Sequence, residues 1–226
     1  MATRSGRGYG HYSGAARALE RVGERWALLI VRDLLVGSRR YGDLKANLPR
    51  IPTNILSDRL RELQQAGVIR RVPVVRGGYE LTELGRGLAP AVLALERWGW
   101  EVLGPPADDE TLTADGLVIT LTAAFQPAGA RGLPPTRYEV AVGDAQAWAV
   151  VARGSLLAGA SGPTAVAAPE REIPAVPTDS TLQLDVTAAE LRALLTTGER
   201  SGTPTTSAVL LDRFSRTFRI EGSHPR

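Results

Sequence analysis

The chain is expected to be α+β and to fall into two parts. A helix-rich first half ends in a hairpin, and a second half is built on an antiparallel sheet. Three observations predict this. Leu56, Leu60 and Leu63 recur at helical spacing between Thr53, placed to cap, and Gly67, placed to stop. A hairpin signature follows at once, with Arg76-Gly-Gly78 as its turn. Beyond residue 104, strand-like runs with turn signals between them are framed by helical segments.

Composition bounds what such a chain can do. It has 226 residues, 43% of them apolar, enough for one large or two ordinary domains. No run approaches the roughly 20 apolar residues of a membrane span, and Met1-Ala-Thr-Arg-Ser-Gly-Arg-Gly8 lacks a signal peptide's apolar core, so a cytoplasmic protein with no membrane partner is expected. Without cysteine there is no disulfide, thiol switch or cysteine-ligated zinc; with only His11 and His224, no metal site or cofactor is expected. The net charge of +3 hides an asymmetry: residues 1–104 carry 17 Lys/Arg against 10 Asp/Glu, and residues 105–226 carry 10 against 14. Positive charge confined to one half points to a polyanion as that half's partner.

Residues 1–10 are Gly/Arg-rich, read as a frayed end or a basic arm. A short helix is expected over Gly14–Val22. A second, over Glu24–Val36 and stopped by Gly37, is apolar nearly all round and therefore central, with Trp26 as a core anchor. Ser38-Arg-Arg-Tyr-Gly42 leads into a third helix, Tyr41–Leu48, closed by Pro49. Pro49-Arg-Ile-Pro52 leaves room only for a tight turn before the helix at Thr53, which makes a helix-turn-helix. Arg39, Arg40, Tyr41 and Lys45 cluster where side chains and free N–H groups hold phosphate. On the fourth helix Asn54, Ser57, Asp58 and Arg61, with Thr53 beside them, form a polar stripe suited to base edges in a major groove. Asp58 either accepts from a cytosine amino group or turns the neighbouring arginines. Val68–Val75 and Tyr79–Thr82 are the strands of the hairpin, Pro73 favouring an edge, and Arg76 at the tip is placed for phosphate or minor groove. A helix over Glu83–Leu103 carries Leu95, Trp98 and Trp100, more apolar surface than a small domain buries alone, so a second subunit is expected there.

Several stretches taken together resemble the HxlR-type winged helix-turn-helix regulators of bacteria. They are Glu24-Arg-Trp-Ala-Leu-Leu-Ile-Val-Arg-Asp-Leu34, Gly37-Ser-Arg-Arg-Tyr-Gly-Asp-Leu44, Ile55-Leu-Ser-Asp-Arg-Leu-Arg-Glu-Leu63, Ala66-Gly-Val-Ile-Arg-Arg71, Tyr79-Glu-Leu-Thr-Glu-Leu-Gly-Arg86 and Ala94-Leu-Glu-Arg-Trp-Gly99. The resemblance covers about 12–101 and implies a homodimer built from the first and last helices of this region, with two recognition helices and two wings. A regulator binding double-stranded DNA at a pseudo-palindromic site, a repressor rather than an activator, is expected. Two departures stand out: Tyr12-Ser-Gly-Ala-Ala16 lacks the cysteine that some members use as a sensor, and the wing is short.

In the second half, Gly104-Pro-Pro-Ala-Asp-Asp-Glu110 is a break. Thr111–Phe125 holds β-branched residues that suit a strand, but its length, a cap at Thr113 or Asp115 and the stop at Pro127 favour a helix. Strands are expected at Arg137–Val142 and Ala147–Ala152 across Gly143-Asp144, then at Ser155–Ala160, Thr164–Ala168 and Leu182–Val186. Helices at Thr187–Leu195, with a Thr187/Glu190 capping box, and at Ser207–Phe218 complete the chain. This order, with Asp179-Ser-Thr-Leu-Gln-Leu-Asp185 and Glu190-Leu-Arg-Ala-Leu-Leu-Thr-Thr-Gly198, resembles the sterol-carrier-protein-like fold. The resemblance implies domains at 1–104 and 105–226, the second holding an apolar small molecule. Candidate lining residues are Leu121, Phe125, Trp148, Leu184, Leu194 and Phe214, ordinary core packing being the commoner role of such residues. No catalytic set is evident, so an enzyme is not expected; the alternative is a small-molecule binder using its winged half for dimerisation.

Overall fold

The first helix, α1, spans Gly14–Val22 as expected, while the second, α2, starts at Ala27 rather than Glu24 and runs to Val36. The cause is Trp26, whose backbone is left-handed (φ 79°), a conformation no helix can include. Trp26 is half-buried with Arg25 stacked on its ring, whereas Ala27, Ile30, Val31 and Leu34 of α2 are buried. Strand β1 (Arg39–Arg40), α3 (Tyr41–Asn47) and α4 (Thr53–Gln65) follow, then the hairpin β2 (Ile69–Val72) and β3 (Gly78–Leu81). The sheet order is β1-β3-β2, so β2 lies at an edge; it ends at Val72, and Pro73, expected within the strand, lies outside the described residues. The computed structural model describes residues 8–72, 77–107, 110–162, 173–199 and 207–220; Arg76 and the expected strand Thr164–Ala168 lie outside them.

The helix expected over Glu83–Leu103 is two helices, α5 (Glu83–Arg86) and α6 (Ala89–Val102), separated at Gly87-Leu88. The chain divides into two compact units, Met1–Ala89 and Pro90–Arg226, so α6 belongs with the second. Composition suggested a break at 104; packing explains the earlier one. Glu96 accepts hydrogen bonds from the indole N–H of Trp100 (2.9 Å) and from the hydroxyl of Thr120 (2.7 Å), and Arg97 donates to the Ala123 carbonyl. Thr120 and Ala123 lie on α7 (Ala114–Ala124), a helix buried almost all round and capped by Thr113 through the amide of Gly116. The residue order therefore ties α6 to α7 through one shared carboxylate.

In the second unit β4 (Thr136–Val142), β5 (Ala145–Ala152), β6 (Ser155–Ala160) and β7 (Thr181–Asp185) form a sheet in the order β6-β5-β4-β7. The sheet is not wholly antiparallel as expected: β7 runs parallel to β4, which the long connection after β6 permits. Helix α8 (Ala188–Thr196) carries the expected Thr187/Glu190 capping box, whose backbone and hydroxyl hydrogen bonds hold the Glu190 carboxyl below its usual range. Helix α9 (Ala208–Thr217) is capped by Ser207. One face of the sheet is the core: Tyr138 pairs with Ala149 and Leu182, and its ring meets Phe214 (5.5 Å) and Phe218 (5.3 Å) edge-on.

Leu184, two residues from Leu182, lies on that same face, and Phe125 joins the nest through Phe218. Leu121 and Leu194 are buried on α7 and α8. Trp148 does not belong to this set. It pairs with Glu139, not Tyr138, so strand alternation puts it on the opposite face, where Arg137 stacks on its ring (5.4 Å). Its indole lies across Gly159, where a Cβ would come within 2.8 Å of the ring.

Tyr138 is fully buried, and that burial pushes its phenol above the ordinary tyrosine range. Thr217, Thr136 and Arg213 nearby offset part of this, yet the buried phenol oxygen closes no hydrogen bond among the described residues. Replacing Tyr138 by Phe is therefore expected to leave unfolding free energy within about 1 kcal/mol or raise it. Phe214→Ala in the same nest should cost about 3–5 kcal/mol. Denaturant titration of both variants checks the contrast. A raised folded-state value means that Tyr138's contribution is complete below the unfolded tyrosine's range and is lost as pH rises through the folded one. The Phe variant should lack that share of the alkaline decline.

Candidate nucleic-acid interface

Helix α4 is built to present one face. Leu56, Leu60 and Leu63 are buried, while Thr53, Asn54, Ser57 and Arg61 are exposed and Asp58 is half-exposed. Its C-terminal end is a Schellman closure: the Val68 amide bonds to the Leu63 carbonyl, the Gly67 amide to Gln64, and Gly67 takes φ 73°. Arg21 of α1 donates to the Ala66 carbonyl at 2.9 Å, so a cation also meets the negative end of the helix. At the other end Thr53 is not the cap. Pro52 occupies that position, no side chain caps the helix, and the first intrahelical bond runs from the Leu56 amide to the Pro52 carbonyl.

The residues expected to grip phosphate have other partners in several cases. Arg39 is 2% exposed; it lies in β1 paired with Tyr79 and donates to the Ser38 carbonyl, so it is part of the fold, not of a surface. Lys45 is spent inside the helix-turn-helix, its ammonium donating to the carbonyls of Ile51 (2.7 Å) and Pro49 (3.1 Å). Tyr41 donates its hydroxyl to the Thr53 carbonyl at 2.9 Å, with Ser57 Oγ 3.4 Å away. Ser57 itself lies 3.1 Å from the same carbonyl. Arg40 remains exposed, but its backbone N–H donates to the Asp43 carboxylate at 2.8 Å. That carboxylate occupies the start of α3 where an anion was expected to sit.

On the outer face of α4, Arg61 and Asp58 form an ion pair at 2.6 Å, which is the second of the two roles considered for Asp58. Arg59, on the flank, pairs with Glu62 and with Glu24 (3.6 Å) and is mostly covered. The hairpin adds two exposed arginines that sequence reasoning passed over. Arg70 pairs with Glu80 at 2.6 Å, and Arg71 stacks on the Tyr79 ring at 5.4 Å. The signal was present, since a strand beginning on buried Ile69 must turn Arg70 outward.

A helix-turn-helix whose second helix offers a polar stripe, followed by a hairpin on its own small sheet, defines a winged helix-turn-helix unit. The chain belongs to the HxlR-like helix-turn-helix family, whose model matches residues 21–106. It is 38% identical over 93 residues to YvaP of Bacillus subtilis, an uncharacterized HTH-type transcriptional regulator, across 39% of this chain and 86% of YvaP. It is 50% identical over 98 residues to another such regulator from Mycobacterium tuberculosis, across 40% of this chain; the match spans 61% of that relative's length. Among solved structures, quinone-bound YodB from B. subtilis is 30% identical, covering 38% of this chain and 94% of that one, with a TM-score of 0.35.

Cutting the leucine stripe should undo the unit. Leu60→Ala is expected to lower unfolding free energy by about 2–5 kcal/mol. Arg39→Ala should destabilise by more than about 1 kcal/mol, as loss of a buried polar partner does. Thermal or denaturant unfolding measures both; an Arg39 variant as stable as the parent would return that residue to the surface set.

Proposed function

We propose that the protein is a homodimeric, DNA-binding transcriptional regulator acting as a repressor on a pseudo-palindromic operator. The observation that carries the reading is the α4 face, where Thr53, Asn54, Ser57 and Arg61 stand exposed over a fully buried leucine stripe. Family membership and relatives named as HTH-type transcriptional regulators support it. So does the positive charge of residues 1–104. Two α4 helices about 34 Å apart would enter successive major grooves. Thr53, Asn54, Ser57 and Arg61 read or flank bases, Asp58 aims Arg61, and Arg40 holds phosphate. Arg70 and Arg71 on the wing, and Arg76 in the segment between its strands, meet the DNA backbone.

The functional division proposed is 1–104 for DNA binding and dimerisation and 105–226 for regulation. For the dimer, Leu95 and Trp98 on α6 are 50% and 59% exposed, an apolar surface that a second copy would cover. Trp100 is withdrawn from this set because it is buried within its own unit on Glu96. An apolar small molecule held near Leu121, Phe125, Leu184, Leu194 and Phe214, in a sterol-carrier-like second unit, would regulate the dimer. Trp148 is excluded, facing the other way. Such a ligand acts only if it binds one dimer geometry more tightly than the other.

Selection of bound sequences from random duplexes, followed by titration, tests the proposal. Arg61→Ala should weaken binding to the selected duplex by about 1–3 kcal/mol and binding to random DNA less. Arg40→Ala should weaken both equally and reduce the salt slope by about one. Equal losses on selected and random DNA for Arg61→Ala would reject base reading. Titrating lipid extracts during DNA binding tests regulation; a ligand that binds without changing DNA affinity would defeat it.

A further inference from the structure

Helix α3 places Tyr41 and Lys45 one turn apart on the same face. Together they take hold of three carbonyls on the path into α4: Lys45 those of Pro49 and Ile51, Tyr41 that of Thr53. Pro52, at the N-cap of α4, brings no side-chain cap of its own. Resting on the DNA-binding reading above, we propose that Tyr41 and Lys45 are positioning residues that set the angle of α4. They thereby govern sequence discrimination, and they do not neutralise phosphate.

Chemistry at residue 45 supports this. It is the only lysine in the chain; the other basic residues among the 27 are arginine. An ammonium is a compact charge with three donors that can converge on two carbonyls in a tight turn, whereas a guanidinium is a planar fork suited to carboxylate and phosphate. Both Lys45 bonds are charge-assisted and therefore stronger than neutral ones. Base edges demand donor–acceptor distances of about 2.7–3.2 Å, so a small rotation at the start of α4 spoils Asn54 and Ser57. Phosphate contacts carry no sequence information and tolerate it.

The test measures affinity for a selected duplex and for random duplex across a salt series, for the parent, Lys45→Met, Lys45→Arg and Tyr41→Phe. If positioning is right, Lys45→Met loses about tenfold or more in the selected-to-random ratio while its salt slope on random DNA stays at the parent's value. A phosphate contact would instead cost equal affinity on both duplexes and reduce the slope by about one, and that result overturns the proposal. Lys45→Arg separates the two further: at a phosphate contact it restores binding, whereas in the turn it fails to restore discrimination. Tyr41→Phe, which deletes one hydroxyl and should fold, must show the same loss of ratio in milder form. Its discriminating as well as the parent would overturn the proposal even if Lys45→Met does not fold. A parent protein without duplex preference would sink the regulator reading itself, which distinguishes that failure from this one.

Discussion

A helix that must keep one face bare has to be held entirely by its other face and its two ends. In α4 the first requirement is met by Leu56, Leu60 and Leu63, each 2% exposed or less and each worth about 1.5–3 kcal/mol in burial. The ends are held by side chains reaching backbone carbonyls: Arg21 at Ala66, and Tyr41 and Lys45 along residues 49–53. Polar side chains on the remaining face then carry no packing duty. Arg39, buried, and Lys45, bonded into the turn, are cations withdrawn into the scaffold, which is why the basic cluster at 39–45 is a poorer guide to phosphate than its charge suggests.

That withdrawal marks where sequence stops being informative. The limits of α1, α3 and α4 were readable because spacing, Gly67 and the prolines encode them locally. The start of α2 was not, since a tryptophan at φ 79° is imposed by its surroundings. Strand β1 escaped because two residues have no period; only pairing with Tyr79 and Gly78 makes them a strand and buries Arg39. Likewise nothing local says that Lys45 will fold back on the turn. The exposed stripe at Asn54, Ser57 and Arg61 was legible because helical period alone separates it from the leucines.

Strand β5 shows the same limit in the second unit. In β4, buried Thr136, Tyr138, Val140 and Val142 alternate with half-exposed neighbours, so its inner face is plain from sequence. Residues Ala147–Val151 of β5 are buried without interruption, and parity vanishes. Only the register, Trp148 opposite Glu139, reveals that this tryptophan lies away from Phe214. A parallel β7 was equally hidden, because no residue within a strand encodes its direction relative to a neighbour.

Helix α6 is where the two halves of the functional reading meet. The family match runs through it, yet it packs with the second unit. Trp98 and Trp100, two residues apart, stand about 200° around the helix from one another. One is therefore exposed while the other is buried on Glu96. Glu96 also accepts from Thr120 on α7, whose other residues are almost all in the core. A molecule that shifted α7 would strain the half-buried Glu96 carboxylate, one oxygen of which accepts from Trp100 on its own helix and from Thr120 on α7. The displacement would appear on the far side of α6, where Leu95 and Trp98 are exposed. In the proposed regulation α6 would be the link, bonded inward through Glu96 and apolar outward at Leu95 and Trp98.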